Sequence, residues 1–142
     1  MFTGTYTPKL DEKGRLFLPA KFRDDLEEGL MITRGQERSL AVYPMRKFAQ
    51  QAERLNEASF TNPGIRAYAR VFGSGAFAET PDKQGRITIP PLLRDYASLN
   101  KNVVVIGSIH MIEIWDPTAW STYLEEQESA FANLDAEVFP GV

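Results

Sequence analysis

Asp11-Glu12-Lys13-Gly14-Arg15-Leu16-Phe17-Leu18-Pro19 returns seventy-one residues later as Asp82-Lys83-Gln84-Gly85-Arg86-Ile87-Thr88-Ile89-Pro90. Aspartate, glycine, arginine and proline keep their places, while Leu16 and Leu18 give way to Ile87 and Ile89. The repeat therefore preserves a turn, an arginine and a strand, which marks a duplicated module. Gly14 and Gly85 supply the positive-φ position of a tight turn, and the period-two alternation after them reads as a strand. Pro19 and Pro90 end those strands. Proline at the first helical position then suits a short helix, carrying Phe22 and Leu26 in one copy and Leu93 and Tyr96 in the other.

The likeness extends outward from the phrase. Phe22 meets Leu93 and Arg23 meets Arg94 at the same offset. After one residue of slip, Met31-Ile32 meets Val103-Val104, Gly35 meets Gly107, Val42-Tyr43 meets Ile114-Trp115, and Phe48 meets Trp120. Two units result, 5–48 and 76–120, each reading strand, turn, strand, short helix, strand, turn, strand, helix. The β-rich runs 30–33 with 40–43, and 103–106 with 111–115, read as second hairpins.

Residues 49–75 form a helical linker. A helix-like stretch from Pro44 to Glu57 leads into it, with Phe48, Ala52 and Leu55 on one side; Thr61-Asn62-Pro63 starts a second over Gly64–Phe72, on which Ile65, Tyr68, Ala69 and Phe72 make an apolar stripe. Residues 121–142 are an acidic C-terminal helix and tail, frayed at its end. The helix opens at Pro117, with Trp120, Leu124, Phe131 and Leu134 on one face and Glu125, Glu126 and Glu128 on the other. These apolar faces suit core or subunit interface, core being the simpler assignment. One four-stranded unit alone would leave its edges unpaired and one face bare. The fold predicted is α+β, mainly β: both repeats joined in one pseudo-two-fold β-barrel with peripheral helices.

Composition narrows the chemistry. A chain of 142 residues, 43% hydrophobic and 25% charged, buries one ordinary core, and no apolar run approaches the roughly 18 residues of a membrane span. Its first residues, Met-Phe-Thr-Gly-Thr-Tyr, lack the basic and apolar regions of a signal peptide and are expected to join the fold. With no cysteine, disulfides, thiolate nucleophiles and Cys-based zinc sites are excluded, which fits a reducing cytoplasm. His110 is the single histidine, expected in an exposed hairpin turn, so two-histidine metal motifs are excluded as well. No metal, cofactor or small-molecule substrate is predicted.

The net charge of -3 is unevenly spread. Residues 1–71 carry a surplus of three positive charges and residues 72–142 an excess of six negative ones. Five acids fall after Trp120 with no base among them (Glu125, Glu126, Glu128, Asp135, Glu137), so the acidity is largely a C-terminal feature.

Arg15 and Arg86 are the candidate functional residues. In the double unit their turns lie as symmetry mates on one surface. Each guanidinium carries a permanent charge and a planar fork that grips phosphate or reads O6 and N7 of guanine. Lys9, Lys13 and Lys83 would add phosphate contacts that position without specifying sequence. Asp11 and Asp82 equally suit an ion pair that clamps each turn, with Gly14 and Gly85 serving geometry alone. The combined reading has Asp orient the turn while Arg, or its basic neighbours, meets the ligand. Arg23 and Arg94 fit solvated or structural roles, and Gln84 in place of Lys13 leaves the second turn less basic.

The paired Asp-x-x-Gly-Arg-(Leu/Ile)-x-(Leu/Ile)-Pro phrases, an early Gly4-x-Tyr6 and the Ile-Glu-Ile-Trp-Asp run at 112–116 resemble the MraZ family of bacterial transcriptional regulators, over nearly the whole chain. That resemblance implies two tandem SpoVT–AbrB-type swapped-hairpin units, a ring-like homo-oligomer and sequence-specific binding of double-stranded DNA. The implied target is a set of short tandem G-rich repeats upstream of the chain's own gene, at the head of the division and cell-wall cluster; the implied setting is the cytoplasm and nucleoid. The family's Asp-x-x-x-Arg signature falls on Asp11 with Arg15 and on Asp82 with Arg86.

Two other classes compete. Duplicated aspartates related by pseudo-symmetry suggest an aspartic hydrolase. Here, however, charged or polar residues follow Asp11 and Asp82, which predicts exposed, ionised carboxylates and no enzyme. A protein-interaction or antitoxin-like module using the acidic tail is the second; two copies and an ordered linker speak against it.

Overall fold

The computed structural model describes residues 1–58 and 60–134. The first repeat contributes β1 (Thr5–Tyr6), β2 (Arg15–Phe17), α1 (Ala20–Leu26), β3 (Leu30–Arg34) and β4 (Leu40–Pro44). Helices α2 (Met45–Glu57) and α3 (Pro63–Ser74) follow. The second repeat gives β5 (Phe77–Glu79), β6 (Arg86–Thr88), α4 (Pro91–Tyr96), β7 (Val104–Gly107) and β8 (Ile112–Trp115), and α5 (Pro117–Ala132) closes the described chain. The class is α+β, and each repeat has the predicted order of elements.

Six strands make one antiparallel sheet in the order β1-β7-β8-β4-β3-β5, while β2 and β6 form a separate two-stranded ribbon. Exchanging the repeats maps this order onto its own reverse, so the pseudo-two-fold axis passes between β4 and β8. Leu40 faces Ile114 there, and Val42 faces Ile112. The second hairpins form as predicted, β3 with β4 and β7 with β8. The first two strands of each repeat do not pair with one another. β1 pairs with β7 of the other repeat (Thr5 to Ile106), β5 pairs with β3 (Ile32 to Phe77), and β2 pairs with β6.

The expected closed barrel is absent. β1 and β5 are open edges of the sheet, and the ribbon does not bridge them. Part of the reason is chemical: three of the four outward N–H groups of the ribbon are occupied, those of Arg15 and Arg86 by Asp11 and Asp82 and that of Thr88 by Glu79 at 3.1 Å, leaving, among the described residues, only that of Phe17. Carboxylates thus occupy donors that a neighbouring strand would need, and the ribbon stops at two strands.

Period two sorts the side chains into two layers. Leu30, Ile32, Leu40, Val42, Val105, Ile112 and Ile114 point from the sheet into the main core. They meet Leu16, Leu18, Ile87 and Ile89 of the ribbon, Phe22 and Leu26 of α1, and Leu93 of α4. On the opposite face α5 lays Trp120 and Tyr123 over Val104, Ile106 and Trp115. Nearby, Phe48 of α2 stacks on Phe72 of α3 at 5.6 Å, with Tyr43 edge-on to both. The predicted starts are in place. Asn62 accepts from the N–H groups of Gly64 and Ile65 ahead of Pro63, and Asp116 accepts from that of Ala119.

The apolar face assigned to α5 packs only in part. Trp120 and Leu124 are half-buried, but Phe131 is 79% exposed, and Leu134, assigned to the same face from the sequence, lies beyond the end of α5 at Ala132 and is exposed. Asp135, Glu137 and the predicted fraying beyond lie outside the described residues. His110 sits exposed in the β7–β8 turn, as predicted. No helix among the described residues is long and apolar enough to cross a membrane.

Candidate nucleic-acid interface

Each Asp-x-x-Gly-Arg turn is built around its aspartate. Asp11 Oδ1 accepts from the N–H groups of Lys13 and Arg15, both at 2.9 Å, and Oδ2 accepts from Arg15 Nε at 2.7 Å. The Asp11 N–H donates to the Arg15 carbonyl, and the Gly14 N–H to the Asp11 carbonyl. The second turn reproduces the first: Asp82 Oδ1 takes Gln84 N–H and Arg86 N–H at 2.9 Å, and Oδ2 takes Arg86 Nε at 2.8 Å. Gly14 and Gly85 have φ of +76° and +77°. A second demand falls on them. A Cβ at Gly14 would meet the Arg94 side chain at 2.9 Å, and one at Gly85 would meet Arg23 at 2.6 Å. Each turn is thus covered by the short-helix arginine of the other repeat, so of the solvated and structural roles open to Arg23 and Arg94 the contacts are those of the structural one.

These clamps leave something unused. Arg15 and Arg86 donate only Nε to aspartate, and among the described residues their Nη groups make no hydrogen bond. Their side chains are 31% and 22% exposed. Both stand on the outer face of the ribbon. Leu16 pairs with Ile87 and both turn inward at 1% exposure, so Arg15, Phe17, Arg86 and Thr88 face out together. Arg15 lies opposite Thr88 and Arg86 opposite Phe17. The two arginines are therefore diagonal neighbours, about 7–8 Å apart. The clamp and the ligand-binding reading are compatible: aspartate holds the Nε edge while the Nη edge faces solvent.

The lysines surround this face unevenly. Lys9, Lys13 and Lys83 are all exposed. Lys9 bridges to Asn102, and the Leu10 N–H donates to the Lys101 carbonyl, which brings exposed Lys101 to the first turn. Sequence reading did not select Lys101, because only the pairing of the loop before β2 with the second repeat places it there. Phe17 and Glu79 were also missed. Their signal was a mismatch within the repeat, since Phe17 aligns with Thr88 and Glu79 with Pro8.

Hydrogen bonds from the Arg15 N–H, then from its side chain and the Lys13 N–H, hold the Asp11 carboxyl below its ordinary 3.8. Asp82 is lowered in the same way, first by the Arg86 N–H. Two ionised carboxylates, each clamped by its own arginine, do not share a proton, so the hydrolase chemistry has no dyad to run on. The other perturbed groups lie on the helix-covered face of the sheet, where burial pushes Tyr43 up to about 12 and raises Glu113. Among the described residues no cluster of histidine, aspartate and glutamate could hold a metal.

A depressed carboxyl contributes stability that is complete above its unfolded value and is lost as pH falls through the folded one. The turns should therefore hold at pH 4 and above and loosen below 3.8. NMR titration of the carboxyl carbons is expected to place both midpoints below 3.8. Arg15→Ala should raise that of Asp11 part of the way and leave Asp82 in place.

Comparison with known proteins agrees with the duplication. A family described as "MraZ protein, putative antitoxin-like" matches the chain twice, over residues 1–71 and 72–140. Proteins named "Transcriptional regulator MraZ" from Kineococcus radiotolerans and from Leifsonia xyli subsp. xyli are each 56% identical to it over 142 residues, covering 100% of this chain and 99% of theirs. One of the same name from Salinispora arenicola is 54% identical over the full length of both chains.

Proposed function

The chain belongs to the MraZ family, and from that premise we propose that it is a transcriptional regulator that binds double-stranded DNA sequence-specifically through the outer face of the β2–β6 ribbon. The family is one of transcriptional regulators and not an enzyme class. One observation carries the DNA reading: two guanidinium groups, each fixed at Nε by an aspartate, present unpaired Nη edges side by side on an exposed two-stranded ribbon. A ribbon of this width enters a major groove, and a guanidinium edge matches guanine O6 and N7. Arg15 and Arg86 read bases in this account; Lys9, Lys13 and Lys83 contact phosphates.

The target is the set of short tandem G-rich repeats upstream of the chain's own gene and its division and cell-wall cluster. The mode is repression, and the setting is the cytoplasm and nucleoid. We read 5–48 and 76–120 as swapped-hairpin units, joined by the helical linker 49–75 and followed by 121–142; the pairing of β1 with β7 and of β5 with β3 supports that reading. A ring-like homo-oligomer completes it. One subunit with net charge -3 offers few phosphate contacts, but subunits tethered in a ring raise the effective concentration for every contact after the first.

A gel shift on the upstream duplex tests this. Cutting the repeats to one is expected to lower affinity 100-fold or more, in the range that tethered binding supplies, and the loss should grow with salt. Equal affinity for one repeat and several would overturn the avidity mechanism, and no preference for this duplex over a shuffled one would overturn the DNA reading. An antitoxin-like role is the second reading, favoured by the family's description and by exposed Phe131 and Leu134 beside the acids of α5. It predicts that Phe131→Glu abolishes capture of a partner protein and leaves the gel shift unchanged.

A further inference from the structure

The duplication that builds the ribbon is broken at one place on its outer face, and the break is chemical. The Leu18 N–H donates to the Gly85 carbonyl and the Ile89 N–H to the Gly14 carbonyl. With those bonds on either side, Phe17–Arg86 and Arg15–Thr88 are both non-hydrogen-bonded pairs, the kind whose side chains stand closest together. Opposite Arg86 is an aromatic ring; opposite Arg15 is a hydroxyl. Arg86 Cζ lies 5.8 Å from the centroid of the Phe17 ring, within reach of a cation–π contact. Arg86 is therefore held at two points, by Asp82 at Nε and by Phe17 across its face, whereas Arg15 is held at Nε alone.

The ribbon edges differ in the same sense. The Thr88 N–H is closed by the Glu79 carboxylate, but the Phe17 N–H has no acceptor among the described residues, because Pro8 stands where the second repeat has Glu79. One half of the face thus offers a guanidinium, an aromatic ring 50% exposed and a free N–H. The other offers a guanidinium, a hydroxyl and a carboxylate.

We propose that Phe17 is a specificity-determining residue: its ring receives the C5-methyl of a thymine beside the guanine read by Arg86, and the half read by Arg15 makes no such demand. The proposal rests on the DNA-binding reading above. Thymine is the base that shows a methyl group in the major groove, and an apolar side chain next to an arginine fork reads it together with the neighbouring guanine. The consequence is polarity. A reading face with true two-fold symmetry binds either way round, while this one has a head and a tail, as repeats that all run in one direction require. Glu79 sharpens the difference by setting a carboxylate at the other end.

The test uses the full chain and the upstream tandem-repeat duplex, with each thymine in turn replaced by deoxyuridine, which keeps the base pair and removes the methyl. Wild type is expected to lose about fourfold in affinity per repeat at one thymine next to a guanine, the worth of one buried methyl. Phe17→Thr, which copies the Arg15–Thr88 arrangement, should lose that dependence. Thr88→Phe, at an exposed position, should acquire a second sensitive thymine on the other side of the repeat. A Phe17→Thr profile identical to wild type overturns the inference and leaves the DNA reading intact. If Phe17→Thr does not fold, an unchanged Thr88→Phe profile overturns it instead. Wild type that prefers no sequence sinks the DNA reading and this inference together.

Discussion

Arg15→Ala is expected to weaken binding to the upstream repeats at least 100-fold while the proposed assembly keeps its size. A bidentate arginine–guanine contact is worth about 1–3 kcal/mol, and in the proposed ring the loss recurs in every subunit that engages a repeat. Arg86→Ala should act in the same direction, and the double variant should retain only weak, salt-sensitive binding through lysines such as Lys9, Lys13 and Lys83. Thermal stability should scarcely move, because the ion pair lost is exposed.

Two companion variants separate clamping from contact. Simple electrostatics has Asp11→Ala strengthen binding, since a negative charge leaves the surface. The geometry has it weaken binding instead, because Oδ1 and Oδ2 hold both the turn and the arginine. Arg15→Lys should be nearly as poor as alanine: lysine has no Nε to lodge against Asp11 and no second donor in the same plane. Gel shifts with size-exclusion chromatography decide each case, and binding retained by Arg15→Ala in an intact assembly removes Arg15 from the contacts.

Much of this site was legible in the sequence because its parts are local. Asp11, Gly14 and Arg15 lie within five residues, and a carboxylate three positions before a positive-φ glycine has few ways to satisfy its neighbours' N–H groups. The alternation of Leu16, Phe17 and Leu18 likewise told which side chains turn inward. The choice of partner strand was not legible. Nothing in Thr5–Tyr6 says that it pairs with β7 in preference to β2, and that choice between distant segments separates an open sheet plus ribbon from a closed barrel. The same limit hid Phe17, whose meaning depends on standing opposite Arg86, and Lys101, which reaches the first turn through a bond to Leu10. Phe131 failed in another way: helical periodicity puts it on an apolar face but does not tell how far the sheet beneath that face extends.

The largest loss of stability is expected from Ile87→Ala, about 2–5 kcal/mol, which chemical denaturation of the intact protein would measure. Ile87 is 1% exposed, faces Leu16 across the ribbon and belongs to the core shared with β3, β4, β7 and β8. Its neighbour Thr88 points the other way, and Thr88→Ala, which keeps the backbone bond to Glu79, should stay within about 0.5 kcal/mol of wild type. The contrast tests register, because a slip of one residue would turn Arg86 inward and exchange the two outcomes. It also bears on function. The ribbon has no neighbouring strand on either side, so burial of Leu16, Leu18, Ile87 and Ile89 is what holds Arg15 and Arg86 at their spacing. Ile87→Ala should therefore weaken DNA binding well below its unfolding midpoint, whereas Thr88→Ala should leave it near wild type. If Ile87→Ala melted early yet bound DNA as tightly as wild type while folded, the spacing of the two guanidinium groups would have to be maintained by their aspartate clamps alone.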